Sequence, residues 1–223
     1  MEGRFPNGLF VAMGNCKDPE REEEYNRWYD EVHIPDATSQ GPLRNGVRFV
    51  NAEQEPGQPK YLALYETDAE DLVAARSVVS EMAGRLRDAG RSTDLSESLL
   101  TAMVKSIGST SSATAGKAVR SLLFVSLDCK DPDREEELSH WHGEVHQPDV
   151  LESGFYHSAY RYENPNPSDR LGKFVAIYET DLDPQTASAG TRSMWPKWNA
   201  MGHGNDLGIL RTRLILHRLT PQL

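Results

Sequence analysis

The chain of 223 residues contains two copies of one sequence pattern, and this duplication limits the folds that it can adopt. The segment that begins at Cys16, CKDPEREEEYNRWYDEVHIPD, aligns with the segment that begins at Cys129, CKDPDREEELSHWHGEVHQPD. KYLALYETD from Lys60 aligns with KFVAIYETD from Lys173 at the same offset of 113 residues. A constant register over this length indicates a tandem duplication, so both halves are expected to form the same structural unit.

Each copy predicts the same order of strands and helices. A short β-rich run, GLFVAMGNC or SLLFVSLDC, is followed by Asp-Pro, which is typical of a helix N-cap and first turn. Apolar residues at helical spacing, two more strands, a second helix and a last strand complete a βαββαβ unit. We expect Pro35 and Pro148 to end the first helix, because the residue before a proline disfavours the α region. Trp28 and Trp141 are predicted to lie buried between that helix and its sheet.

The βαββαβ order is that of the ferredoxin-like unit, an antiparallel sheet of four strands with both helices on one face. Two such sheets can pack their open faces together, which predicts an α+β fold in which two repeats close one barrel. The stretch SIGSTSSATAGKAV, from Ser106 to Val119, has no hydrophobic periodicity and has the composition of a connector. We therefore predict a first repeat at 1–105, a linker at 106–120 and a second repeat at 121–223.

Charge and hydropathy narrow the set of partners. The formal net charge is −10, so the chain lacks the basic surface that drives binding to phosphate backbones, and we expect no nucleic-acid partner. No apolar run is long enough to span a bilayer and the first residues do not resemble a secretory signal, so we expect a cytoplasmic protein with no membrane partner. Because the fusion already supplies both sheets, we expect a monomer or a weak homodimer.

The first helix carries the motif Trp-x-x-Glu-Val-His-x-Pro-Asp, at Trp28 to Asp36 and at Trp141 to Asp149. With this motif and the strands ALYETD and AIYETD, the chain resembles the dimeric α+β-barrel superfamily, in its EthD-like branch, as a fused tandem form. The resemblance implies the fold described above. The superfamily includes lactone isomerases, polyketide cyclases, hydroxynitrile lyases, cofactor-free quinol monooxygenases, haem enzymes and non-catalytic members, so the resemblance does not select a function.

His33 and His146 are the first candidates for catalysis. Each lies near the end of the first helix, where the helix dipole favours imidazolium while burial favours the neutral ring, a balance suited to proton transfer. Asp36 and Asp149, three residues later, are candidates to orient these rings. The alternative is that His-x-Pro-Asp only terminates the helix, with the histidine capping its carbonyl groups.

The second copy is richer in reactive side chains. It holds six of the seven histidines, and His142 replaces Tyr29 one turn before His146. We therefore favour an active site around His146. The i, i+4 spacing of His142 and His146 could hold a metal ion, but no third ligand is evident nearby, so we expect no metal and no cofactor.

Aromatic and basic residues supply candidates for binding and for charge stabilisation. Tyr65 and Tyr178 occupy equal positions in the third strand of each copy, and Trp195 adds an aromatic ring in the second. In the last strand, Arg211, Arg213, Ile215 and His217 alternate with Leu210, Thr212, Leu214 and Leu216, so the two arginines share one face. If the polar face of this strand points into the barrel, the arginines could hold a carboxylate or a phenolate; if it points outward, they protect an edge strand.

These observations lead to one preferred function and two alternatives. We expect an enzyme, a cofactor-independent lyase or isomerase, that uses histidine acid/base chemistry on a small aromatic or hydrophobic molecule bound in the barrel. Tyr178 or an arginine would stabilise the negative charge that develops. The alternatives are a cofactor-free monooxygenase of the same fold and a non-catalytic protein that binds small molecules.

Overall fold

The computed structural model describes residues 1–111 and 116–221, and its two copies have the same order of elements. The first copy consists of β1 (Gly8–Cys16), α1 (Glu22–Trp28), α2 (Ile34–Ser39), β2 (Arg44–Asn51), β3 (Tyr61–Thr67), α3 (Leu72–Asp88) and β4 (Ser96–Ser111). The second consists of β5 (Ser121–Cys129), α4 (Glu135–Trp141), α5 (Gln147–Glu152), β6 (Ser158–Glu163), β7 (Phe174–Thr180), α6 (Pro184–Ser193), α7 (Trp195–Ala200) and β8 (Gly208–Arg218). The predicted βαββαβ order is thus confirmed in both copies.

The eight strands close one antiparallel barrel in the order β1-β3-β2-β8-β5-β7-β6-β4. Each repeat contributes a sheet of four strands. The two sheets join along β2 and β8, where Val50 lies opposite His217, and along β4 and β6, where Ser109 lies opposite Tyr160. The α+β fold and the barrel of two fused sheets that the duplication predicts are confirmed.

Side chains fill the interior of the barrel. The largest are Phe49, Phe124, Tyr160 and Tyr162, which are almost inaccessible to solvent and pack with aliphatic residues from the other strands. This interior is a packed core of the kind expected for a small barrel. Two cavities lie on the outer faces of the sheets, under the helices, and a third is lined by Met13, Leu100 and Leu214 of the barrel core. The expectation that a substrate binds inside the barrel stays a prediction.

The helix that carries the His-x-Pro-Asp motif does not end at the proline. Its axis passes through a π-helical turn, Tyr29–His33 in the first copy and His142–His146 in the second, and then continues as α2 or α5. In each copy the residue before the proline donates its N–H five residues back, Ile34 to the Tyr29 carbonyl and Gln147 to the His142 carbonyl. The wider turn leaves room for the proline ring, so the rule that predicts a helix end at Pro35 and Pro148 fails here.

The predicted linker is partly strand. β4 runs to Ser111 and pairs with both β1 and β6, so residues 106–111 are needed to close the barrel. Their small and polar composition hides this role because backbone pairing with β6, and not hydrophobic alternation, holds them in place. Residues 112–115 lie outside the described part of the chain, and the division into repeats at 1–105 and 121–223 remains a prediction.

Candidate functional site

In each repeat a pocket lies between the outer face of the sheet and the helices. The pocket of the second repeat, called here the second-repeat pocket, has a volume of about 330 Å³. Strands β5, β7 and β8 form its floor, and helices α4 to α6 form its walls. Its lining is mostly apolar and aromatic, and its polar members are His142, His146, Tyr178, Ser188, Thr191, Arg192, Asn205 and Arg213.

His146 lies between two indole rings in this pocket. Its imidazole stacks on Trp141 with centroids 4.9 Å apart and on Trp195 with centroids 5.5 Å apart. Burial lowers the pKa of His146 to about 4, against a weaker opposite effect of Asp149. The described residues give its ring nitrogens no hydrogen-bond partner, and neither nitrogen is fully buried. His146 is therefore neutral near pH 7, with ring nitrogens that remain accessible.

His142 and Tyr178 form a hydrogen-bonded pair beside His146. The distance from His142 Nε2 to the Tyr178 hydroxyl oxygen is 2.9 Å, and both side chains are buried. Burial lowers the pKa of His142 and raises that of Tyr178, while Arg161 pulls the pKa of both groups down. The pair is thus uncharged near pH 7, and one proton lies between the two atoms.

Asp149 does not orient His146 in this structure. Its carboxylate binds His203 instead, with 2.8 Å between Oδ2 and Nδ1. The backbone carbonyl of His203 also accepts a hydrogen bond from the Trp141 indole at 2.9 Å. Asp149 therefore fixes the loop that holds Trp141, and it acts on His146 only through its charge.

The two arginines of the last strand have different surroundings. Arg213 lines the second-repeat pocket, on the helix-covered face of the barrel. Its side chain therefore does not point into the barrel, and because the barrel is closed it does not protect an edge strand either. Arg211 falls in a β-bulge, where Ser126 pairs with Thr212 and the next pair joins Leu127 to Leu210. The bulge breaks the alternation that placed the two arginines on one face. Arg211 binds Asp128 at 2.6 Å, away from the pocket.

The first repeat has an equivalent cavity of about 440 Å³, called here the first-repeat pocket, which is lined by His33, Asp36, Tyr29 and Tyr65 among others. His33 stacks on Trp28 at 4.9 Å, and burial together with the charge of Arg48 lowers the pKa of His33 to about 4. The hydroxyls of Tyr29 and Tyr65 are 3.4 Å apart, at the place that His142 and Tyr178 occupy in the second copy.

Arg48 and Asp36 of the first-repeat pocket each form an ion pair. Arg48, which is fully buried, binds Asp30 at 2.9 Å and lies 4.1 Å from the Tyr29 ring. Asp36, which was expected to orient His33, instead forms two hydrogen bonds with Arg91, at 2.7 and 2.8 Å. The aspartate of the motif is thus bound by Arg91 in the first copy and by His203 in the second.

The tryptophans of the motif are half-buried and line the two pockets, so the prediction of fully buried packing residues is wrong. Each indole N–H donates to a backbone carbonyl after the second helix, Trp28 to Arg91 at 3.0 Å and Trp141 to His203 at 2.9 Å. Their indole rings form the walls against which the motif histidines stack. The sequence pattern identified their helix face but not the cavity beside it.

Of the predicted residues, the second-repeat pocket brings together His142, His146, Tyr178, Trp195 and Arg213. Sequence reasoning missed Arg192, Ser188 and His203, which lie far along the chain from the motif. The first copy held a signal for His203. Arg91, whose carbonyl accepts from Trp28, lies after the second helix of the first copy, and His203 is its counterpart in the second. In the described part of the chain, no group of three or more histidine, cysteine, aspartate or glutamate side chains is arranged to hold a metal ion.

A haem group does not fit the second-repeat pocket as it stands. An axial histidine needs an open, flat space at its ring edge, wide enough for a porphyrin. The ring of His146 is enclosed on both faces by Trp141 and Trp195, and His142 Nε2 is bound to Tyr178. A volume of about 330 Å³ suits a ligand of two or three rings.

Comparison with known proteins finds relatives by structure only. No protein-family model and no curated protein matches the sequence. The Fusobacterium nucleatum protein described as a "putative monooxygenase" superposes with a TM-score of 0.60 and 12% identity, over 97% of this chain and 94% of that one. A mutant chlorite dismutase from Candidatus Nitrospira defluvii gives 0.62 and 11%, over 98% and 93%. An anthrone oxidase-like protein gives 0.61 and 12%, over 97% and 94%.

These likenesses establish the fold. At 11 to 12% identity they confirm the α+β fold with its closed barrel over nearly the whole length of the chain. They assign no reaction, because this fold supports many kinds of chemistry. Among the described residues, no helix has both the length and the apolar character to cross a lipid bilayer.

Proposed function

We propose that the second-repeat pocket is the active site of a cofactor-independent enzyme that removes a proton from an acidic aromatic substrate. The observation that carries this proposal is His146, a neutral imidazole held between two indoles, whose ring nitrogens have no protein partner among the described residues. A neutral histidine can accept a proton, whereas an imidazolium cannot. The first-repeat pocket keeps a structural role.

Proton transfer is easier in this pocket once substrate is bound. His146 alone is a weak base, because burial disfavours its charged form. When the substrate gives up its proton, an anion forms next to the new imidazolium, and the two charges attract strongly in an apolar site. The indoles on both faces hold the ring in one orientation and exclude water.

Tyr178 would stabilise the oxygen on which the negative charge collects. If His142 carries its proton on Nε2, it donates to Tyr178, and the tyrosine hydroxyl proton is free to face the pocket. Both groups are uncharged near pH 7, so the pair can donate a hydrogen bond without itself ionising. This role is that of an oxyanion hole for an enolate or phenolate.

The anion would then react with molecular oxygen, which makes the protein a cofactor-free monooxygenase. An acidic methylene between aromatic rings would become a carbonyl, with one oxygen atom in the product and the other leaving as water. The fold neighbours support this choice over other fates of the anion, because they include the F. nucleatum protein named above and an anthrone oxidase-like protein.

The second candidate is the lyase or isomerase expected from the sequence. The observation in its favour is the proton shared by His142 and Tyr178, because a second proton carrier in the pocket could return a proton to another atom of the substrate. The EthD-like branch remains part of this proposal, since the comparisons reach only the fold.

Oxygen uptake distinguishes the two candidates. The purified protein would be incubated with anthrone and related aromatic compounds that have an acidic methylene, with an oxygen electrode and product analysis by mass spectrometry. The monooxygenase predicts oxygen uptake equal to product formed, lost in the His146→Asn variant. Rearranged or cleaved product without oxygen uptake would favour the isomerase or lyase, and unchanged ligand after long incubation would favour a non-catalytic binder.

A further inference from the structure

Two guanidinium groups meet at one serine in the wall of the second-repeat pocket. Arg213, on β8, donates from Nη2 to Ser188 Oγ at 2.5 Å, and Arg192, on α6, donates to the same atom at 3.3 Å. Ser188 is 3% exposed, whereas Arg192 reaches solvent and Arg213 is half-buried. The serine therefore holds two positive charges close together at the edge of an apolar cavity.

No ion pair in the described structure neutralises these charges. The pocket lining contains no aspartate or glutamate, and neither arginine forms an ion pair within the described part of the chain. Burial and the neighbouring Arg192 lower the pKa of Arg213, and the weaker opposite effects of Tyr156 and Glu53 do not offset them. By contrast, Arg211, two residues earlier, binds Asp128 at 2.6 Å.

The geometry favours an anion from outside the protein. Holding two like charges together in a half-buried site is unfavourable, and a bound anion would offset that cost. Guanidinium groups bind planar carboxylates with two parallel hydrogen bonds, a fit that a phenolate oxygen does not offer. We propose that Arg192 and Arg213 bind a carboxylate group carried by the aromatic substrate.

This carboxylate is separate from the group that loses its proton. Tyr178 pairs with Leu123 and Arg213 pairs with Val125, so the two side chains lie on opposite sides of β5 and two residues apart along it. From ordinary strand spacings, their Cα atoms are roughly 10 to 12 Å apart. A planar ligand can therefore bind the arginines at one end while its acidic proton faces His146 at the other. This step deepens the proposed function by naming the substrate class, an aromatic carboxylate.

Equilibrium binding tests the proposal without any turnover. The probes are 2-naphthoate and its neutral isostere 2-naphthamide, followed by quenching of tryptophan fluorescence at low ionic strength, since Trp141, Trp195 and Trp198 surround His146. The wild-type protein is expected to bind naphthoate at least tenfold more tightly than naphthamide. Arg213→Gln should lower naphthoate affinity at least tenfold and leave naphthamide affinity within about twofold.

Arg211→Gln is the matched control, because it removes a neighbouring arginine that lies outside the pocket, and it should leave both affinities within about twofold of wild type. Equal binding of the two probes, no detectable naphthoate binding at millimolar concentration, or full retention of naphthoate affinity in Arg213→Gln would overturn the proposal.

His146→Asn separates the two proposals. A carboxylate preference that survives in this variant shows that binding at the arginines does not depend on the base. If His146→Asn kept wild-type turnover, the proposed function would fail while the binding result stood. If turnover fell but the probes bound equally, only the assignment of the arginines would fail.

Discussion

The two pockets share one scaffold and differ in how their charges are arranged. In the first, Asp30 neutralises Arg48 and Asp36 is held by Arg91, so the two charges that act on the pKa of His33 are paired within the protein. In the second, Gly143 replaces Asp30. Arg161, the counterpart of Arg48, therefore forms no ion pair among the described residues; it donates a hydrogen bond to Ser139 and is affected by the charge of Glu144.

Three further differences add reactive or binding groups to the second pocket. Tyr29 becomes His142, Thr101 becomes Arg213 by strand register, and the second indole, Trp195, covers the free face of the motif histidine. The two copies thus share their packing and differ in which polar groups line the pocket. On the proposed function, one copy secures stability while the other holds groups whose partner is a ligand.

The largest expected effect comes from separating the repeats. Residues 1–111 and 116–223 expressed apart would each expose the barrel-facing side of their sheet, which carries Phe49 in one and Phe124 in the other. An apolar surface of this size is not stable in water, so each half is expected to dimerise or aggregate. Analytical ultracentrifugation of both halves checks this, and two soluble, folded monomers would contradict the fused-barrel account.

Replacing the motif tryptophans with alanine compares the indole walls of the two pockets. Trp28→Ala and Trp141→Ala should each lower the free energy of unfolding by roughly 2 to 3 kcal/mol, below the usual cost for a fully buried ring because both indoles are half-buried. Only Trp141→Ala should also weaken turnover. Denaturant unfolding and kinetics of both variants test this, and a turnover loss in Trp28→Ala alone would reverse the assignment of the pockets.

Acid should destabilise both repeats through their motif histidines. His33 and His146 have a pKa of about 4 when folded, below the value of about 6.5 for an unfolded chain, so the unfolded state binds more protons between these values. Their contribution to stability is complete above about pH 6.5 and is lost as the pH falls toward 4.

His33→Leu removes one of these titrating groups. The loss of unfolding free energy between pH 7 and pH 4.5 should be smaller than in wild type by about 1 to 2 kcal/mol. Denaturant unfolding at several pH values measures this difference. Parallel curves for variant and wild type would show that the His33 ring is not held neutral by burial.

The smallest effect is expected when the second pocket is made more like the first. Gly143→Asp would place a carboxylate beside Arg161, as Asp30 places one beside Arg48. A side chain at this position would meet the flexible end of the Arg161 side chain. The new ion pair would weaken the influence of Arg161 on His142 and Tyr178. Turnover should fall about three- to tenfold at unchanged melting temperature. Unchanged turnover would show that the free charge on Arg161 does not matter.

Sequence alone predicted the fold well because the duplication fixed the order of elements twice. It also located His33 and His146, since a motif repeated at one register stands out without any structure. It failed where local rules are overridden: the π-turn carries the helix past Pro35 and Pro148, and the bulge separates Arg211 from Arg213. Partners such as His203 and Arg192 come from distant parts of the chain, and no local spacing signals them.

The central claim is that His146 removes a proton from the substrate and that His33, in the equivalent place, does not. The direct measurement is hydrogen–deuterium exchange at the acidic methylene of a ring-carboxylated anthrone in D₂O under argon, followed by NMR. Without oxygen this isolates the proton step from every later one. The account predicts exchange well above the uncatalysed rate, reduced roughly 100-fold or more by His146→Asn and less than about threefold by His33→Asn. Equal small losses in both variants, or a large loss in His33→Asn alone, would contradict it.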